Sequence, residues 1–270
     1  MPEVHPTAIV SPDAELADDV VVGPFCTVSA GVKLGPGCRL ISHAILQGPL
    51  EMGPDNRVYP FACLGFAPQD VKVDYEAPGL GTVLGARNVF RESVTIHRGF
   101  HDRPTTVGDD NYLMANCHLG HDVQIGSHCM LANGAVLGGH VVAGDRVLFG
   151  GNCGIHQFVR IGRMAVITGG DGFTVDVPPF CNSNHRNQLY GINVVGLRRA
   201  GLREHVRPLR EAYRILFRQG HTNATAVKLL REQLADDPLC MELAEFVATT
   251  QRGIARAARS KRAELHHEDA

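Results

Sequence analysis

A parallel β-helix of triangular coils, closed at its C-terminal end by α-helices, is the fold the sequence predicts, and two patterns predict it. The first is an aliphatic period of six. Steps of six from Val4 reach Val10, Leu16, Val22, Val28, Leu34, Leu40, Leu46, Met52, Val58 and Leu64 without a miss. The second is a switch, after about residue 180, to apolar residues three and four apart, the period of an amphipathic helix. Neither a 3.6- nor a 2.0-residue period explains the first stretch. A short strand plus a turn, repeated every six residues, does: three units close one coil of 18, and successive coils stack at the strand spacing of about 4.8 Å.

The elements follow in chain order. Coils start at Val4, with a Gly after Val22, Leu34, Met52 and Leu64, so the local unit reads V/L-G-x-x-x-x. The period breaks at 65–83 (GFAPQDVKVDYEAPGLGTV), returns at Leu84, Phe90 and Ile96, and breaks again at 97–106 (HRGFHDRPTT). Both breaks read as loops leaving coil corners, where a β-helix can build a pocket. The period then runs from Val107 through Leu113, Leu119, Ile125, Leu131, Leu137, Ala143, Phe149, Ile155, Ile161 and Ile167 to Phe173. Beyond it, Leu202, Val206, Leu209, Tyr213, Leu216 and Phe217 mark a helix, with Gly220 as a stop and Asn223 as the next N-cap. Two or three helices are expected. The division is therefore a β-helix over 1–180, a helical domain over 181–260 and a polar tail over 261–270.

Composition agrees. The chain of 270 residues has 30 glycines, no tryptophan and 44% hydrophobic residues, which suits tight turns around an aliphatic core. No basic n-region opens the chain and no run of about 18 apolar residues occurs, so a cytoplasmic protein without stable membrane insertion is expected. The formal charge of −2 gives no reason to expect a nucleic-acid partner. It hides an asymmetry, because residues 197–270 hold 14 of the 26 Lys and Arg against 10 acids. The eight cysteines form no CxxC pair and read as reduced, mostly buried thiols.

The 18-residue coil also serves as a ruler. It places Asp122 in one column with His140, His121 under Gly139 and Gln157, and Gly120 and Gly138 under His156. His121, Asp122, His140, His156 and Gln157 then line one wall, with glycines leaving room beside His121, while His118 and His140 also read as residues that simply order a polar wall. His43, His128 and His205 read as ordinary turn or surface residues. The H-x-x-H of His118 and His121 has no third metal ligand in its own segment and no HExxH glutamate, and no two histidines lie five apart, so no metal is expected. A neutral imidazole beside a carboxylate suits a general base instead. With no GxSxG, direct transfer to a hydroxyl or amine is the simpler reaction.

These residues carry a family resemblance. PQDVKVDY (68–75), RNVFRESVTIHRG (87–99), NCHLGHDVQIG (116–126), LANGAVLGGHV (131–141), GIHQF (154–158), DVPP (176–179), YGINVVGLRRAG (190–201) and TQRGIAR (250–256) together resemble the acyl-[acyl-carrier-protein]:UDP-N-acetylglucosamine O-acyltransferases of lipid A synthesis. The resemblance implies a left-handed helix and a homotrimer with clefts between subunits. It implies an acyl donor carried on the phosphopantetheine of acyl-carrier protein, with no other cofactor. It makes His121 the base that deprotonates the sugar 3-hydroxyl, Asp122 its partner, and the Gly139 N–H the oxyanion donor. Gln69, Asp70, Lys72, His118, His140, His156, Gln157, His185, Asn193 and Arg199 match substrate-binding positions, and Gly169 matches the acyl-chain ruler. The basic cap, with Arg198, Arg199, Arg203, Arg207 and Arg210, suits an acidic carrier protein. Val195 and Ala200 stand where the family tends to have an acid and an arginine. They leave open N-acylation of a 3-amino nucleotide sugar or acylation of another nucleotide sugar. A catalytically silent or metal-binding β-helix trimer is the reading from another class.

Overall fold

The computed structural model describes residues 1–258, so the polar tail at 261–270 lies outside the described residues. The chain winds as a left-handed parallel β-helix whose three faces are sheets of twelve, nine and eight strands. Most strands are two or three residues long, and from Val22 to Phe173 each presents its six-period residue inward. The register confirms the ruler: Leu119 pairs with Leu137 and Leu137 with Ile155. Leu40, Leu46, Leu64, Ile96, Leu113 and Leu119 are fully buried in one continuous core. Burial of each such side chain is worth roughly 1.5–3 kcal/mol.

Corners complete the coil, and their geometry is not evident in the sequence. The residue three places after a core residue repeatedly takes left-handed backbone: Asp55, Arg87, Asp110, His128, Arg146 and Met164 all have φ between 57 and 59°. Non-glycine residues seldom adopt that region, and here coil closure imposes it. The next corner position points inward and is kept small or polar. Asn56, Asn88 and Asn111 form a buried ladder there, each side-chain oxygen accepting the backbone N–H of the next coil at 2.7–2.9 Å. Cys26, Cys38, Cys117, Cys129 and Cys153 occupy equivalent buried positions as free thiols, and burial pushes their ionisation upward.

Both loops leave from the corner between the nine- and eight-stranded faces, although strands trim them at each end. The strand Cys63–Phe66 and the strand Thr82–Leu84 bracket the first; Thr95–His97 and Thr105–Val107 bracket the second. Arg98 pins the first loop from within, donating to the carbonyls of Tyr75 and Ala77 at 3.0 and 2.6 Å.

The C-terminal part departs from the sequence expectation in three ways. An antiparallel hairpin, Cys181–His185 with Gln188–Ile192, extends the twelve-stranded face before any helix begins. Its alternating burial is a period-two signal too short to stand out. Four α-helices then follow: α1 (Val194–Arg199), α2 (Val206–Phe217), α3 (Asn223–Gln233) and α4 (Pro238–Ala248). The N-cap of α3 is Thr222 rather than Asn223, its hydroxyl accepting from Thr225 N.

The helices are tied to the last coils through two arginines. Asp176, 1% exposed, accepts from Arg160 through both oxygens at 2.9 Å and from Thr250 Oγ1. Arg160 also donates to the Phe246 carbonyl and lies over the Phe246 ring, while Arg163 pairs with Glu242 at 2.7 Å.

Candidate active site

The corner after Leu119 carries His121 and Asp122, and its left-handed turn at Asp122 (φ 60°) sends the carboxylate back under the second loop. Asp122 Oδ1 accepts the backbone N–H groups of Phe100, His101 and Asp102 at 3.1, 3.0 and 3.4 Å. Its Oδ2 lies 2.6 Å from His121 Nδ1. Burial pushes the Asp122 carboxyl up, but the bond to His121 and the N–H groups of His101 and Phe100 outweigh it and hold the group below the usual range. Asp122 is therefore ionised and accepts, so Nδ1 carries the ring proton and Nε2 keeps its lone pair.

The free nitrogen faces Gly139 on the next coil. A Cβ there would stand 2.7 Å from both Cε1 and Nε2 of His121, so this contact requires glycine. Among the described residues the Gly139 N–H donates to no protein acceptor. An imidazole with an available lone pair and an unspent backbone donor thus sit together in one cleft.

That cleft measures about 590 Å³ and its walls include Gln69, His118, His121, Gly139, His156 and Gln157. His118 is fixed by Thr95 Oγ1 at 2.8 Å and meets the ring of His97 edge-on at 5.1 Å. Burial holds His118 below its usual range; burial and its histidine neighbour take His97 down to about 4. Both therefore present neutral imidazoles at neutral pH. Asp122 and His140 line a second depression, of about 520 Å³, behind His121, where His140 stacks on Phe158 at 4.4 Å. Burial, assisted by neighbouring histidines, lowers the His140 pKa against the pull of Asp122 and Asp102.

Other sequence-selected residues lie apart from the cleft lining of this chain. Asp70 and Lys72 sit on the first loop, where Asp70 Oδ1 accepts from Lys72 N at 2.9 Å. Gly169 is exposed at the corner on the far edge of the nine-stranded face. His185 lies at the hairpin end and Arg199 at the end of α1, both exposed. Asn193 is nearly buried; its side chain caps α1 through Gly196 N and donates to the Met164 carbonyl. Val195 is exposed on α1, and Ala200 is the C-cap of that helix.

Several cleft residues escaped the sequence reading. Gly154 and Gly172 occupy the outward column that His118 and Val136 occupy below, and the ruler contains that signal. A Cβ on Gly154 would meet nothing within 4 Å, and one on Gly172 only the Gly154 carbonyl at 3.7 Å, so the pair leaves bare backbone along the cleft floor. Arg186, in the hairpin turn, adds a cation at one end. His101 enters from the second loop, outside the register, 5.2 Å from the His121 ring and 5.4 Å from that of His140.

Comparison with known proteins agrees with this architecture. Residues 104–139 match the bacterial transferase hexapeptide (six repeats), and residues 176–255 match domain 2 of the UDP-N-acetylglucosamine O-acyltransferases. The acyl-[acyl-carrier-protein]–UDP-N-acetylglucosamine O-acyltransferases of Thermodesulfovibrio yellowstonii and Halorhodospira halophila are 43% and 42% identical, over 95% of this chain and all of each relative. The structure of LpxA from Acinetobacter baumannii superposes with a TM-score of 0.90 at 35% identity, covering 94% of this chain and 99% of that one. The UDP-N-acetylglucosamine acyltransferase of Campylobacter jejuni gives 0.88 at 33%, covering 95% and 100%. With the repeat, the helical cap and nearly the full length accounted for, the chain belongs to the acyl-[acyl-carrier-protein]–UDP-N-acetylglucosamine O-acyltransferase family.

Proposed function

We propose that this chain transfers a 3-hydroxyacyl group from acyl-carrier protein to the 3-hydroxyl of UDP-N-acetylglucosamine, with His121 as general base and no covalent intermediate. The observation that carries the reading is the His121–Asp122 pair facing Gly139 inside the cleft. His121 Nε2 takes the hydroxyl proton as the sugar oxygen attacks the thioester carbonyl; Asp122 holds the ring and stabilises the imidazolium. The Gly139 N–H stabilises the tetrahedral oxyanion. Collapse expels the phosphopantetheine thiolate, which takes the proton back from the imidazolium. The acyl chain runs over the floor left bare by Gly154 and Gly172, and Gly169, which matches the family's ruler position, sets its far end.

The same reading makes the enzyme a cytoplasmic homotrimer, with Asp70 and Lys72 reaching a neighbouring subunit's cleft and the basic cap meeting the carrier protein. His156, Gln157, His185, Asn193 and Arg199 serve the donor and nucleotide, Asn193 by holding the start of α1. Light scattering checks the trimer: a mass of one chain would refute it. Among the described residues no helix is long and apolar enough to cross a membrane.

Val195, exposed on α1, and Ala200 at its end stand where the family tends to have an acid and an arginine, which leaves open a second acceptor, the 3-amino analogue of the sugar nucleotide. The test is transfer from a panel of 3-hydroxyacyl carrier proteins to both sugars. Product on the hydroxyl sugar supports the primary reading and identifies the chain length. Product on the amino sugar alone replaces it with N-acylation.

A further inference from the structure

We propose that His101, His121, Asp122 and His140 form a binding site for a borderline divalent transition cation, of which zinc is the type, and that its occupancy inhibits the enzyme. One donor atom from each of these four residues lies within 4.8 Å of every other. Three imidazoles and a carboxylate suit zinc and its neighbours, whereas magnesium and calcium prefer cages of oxygen. One coil supplies only His121 and Asp122. Folding supplies two more, His101 from the second loop and His140 from the next coil.

The donors are arranged for capture. Asp122 Oδ1 is committed to three backbone N–H groups, but Oδ2 lies 2.6 Å from His121 Nδ1 and 3.9 Å from His140 Nε2. His140 is held parallel to Phe158, within 9°. The His101 ring makes no hydrogen bond among the described residues and is exposed, so it is free to close over the ion. Tetrahedral zinc with bonds of about 2.0–2.1 Å places its ligands about 3.3 Å apart. The rings must draw in, and His121 must part slightly from Asp122.

The consequence follows from which atoms are used. The cation takes the place of the proton that His121 Nδ1 shares with Asp122, and that proton passes to solvent. A cation on Nδ1 withdraws electron density from the ring, so Nε2 becomes a weaker base, and Asp122 no longer orients it. The ion has no part in acyl transfer; it competes with the state that performs it. This inhibition rests on the reading of His121 as the base, whereas the binding does not.

The experiment uses the full chain stripped with EDTA, titrated with zinc by calorimetry and with cobalt(II) by visible absorption. The expected result is one zinc per chain and the intense bands of four-coordinate cobalt. His101→Ala keeps the backbone N–H that holds Asp122 and should retain wild-type circular dichroism, and its own transfer rate in EDTA is the reference for its zinc inhibition. It should bind zinc at least about tenfold more weakly, lose the cobalt bands, and need at least about tenfold more zinc for half-inhibition. His128→Ala, at an equivalent corner elsewhere, should bind zinc as wild type does. Absence of a one-to-one site, or a His101→Ala protein that binds zinc as tightly as wild type, overturns the site. Binding without inhibition overturns its effect. Heat and spectrum need no substrate, so the site can fail while the acyltransferase reading stands, and the reverse.

Discussion

At the scale of single residues, the site depends on what is missing at position 139 as much as on what is present at 121. Gly139→Ala puts a methyl 2.7 Å from the His121 ring, which is held at its other nitrogen by Asp122 and cannot turn without breaking a 2.6 Å bond. A misplacement of that order costs about 100-fold in rate, so kcat should fall by about that factor while circular dichroism and KM stay near wild type. A kcat within about threefold of wild type would contradict this contact. His97 makes the second residue-scale prediction. Burial, with His118 adding to it, lowers its pKa to about 4 from a usual value near 6.5. Between these values the unfolded chain binds a proton that the folded chain does not, so stability is full above about 6.5 and is lost as pH falls towards 4. His118 and His140 shift in the same direction. The melting temperature should therefore decline across this window, and His97→Asn should flatten the decline.

At the scale of elements, the coils and the helical cap are joined by few groups, and Asp176 is the densest junction. It satisfies Arg160 from one element and Thr250 from another, at 1% exposure. Asp176→Ala leaves the Arg160 guanidinium partly buried without its carboxylate, a loss of about 3–5 kcal/mol for groups of this kind. Chemical denaturation should show it as a lower midpoint; an unchanged midpoint would mean that the ring of Phe246 and its carbonyl suffice to hold Arg160. The elements also show why sequence reading succeeded in the coils and failed beyond them. The three faces in turn demand one aliphatic residue every six, and that demand is visible whichever residue stands between. The left-handed corners demand a conformation, and this chain meets it with Asp, Arg, His and Met as well as Gly, so no residue type reveals it. The hairpin at 181–192 was hidden because five-residue strands around a short turn leave too few alternations to outweigh the helical pattern that follows.

At the scale of the whole molecule, the stack converts distance along the chain into neighbourhood. His121, Gly139 and Gln157 are 18 residues apart in sequence and lie on successive coils at one cleft, and the ruler found them because the register between Val107 and Phe173 is unbroken. His101 and Arg186 lie outside that register, in a loop and a hairpin turn, and only the folded chain brings them to the site. Asp70 and Lys72 were selected by resemblance rather than by the ruler, and in the proposed trimer they belong to a neighbour's cleft. On the proposed mechanism the stack puts one oriented imidazole, His121, against a sugar hydroxyl. The most direct test is the steady-state rate of His121→Ala on UDP-N-acetylglucosamine with its preferred acyl-carrier-protein donor. Loss of a general base predicts a fall in kcat of about 10²–10⁴-fold with little change in KM. A variant that turns over within a few-fold of wild type would show that the proton leaves by another route.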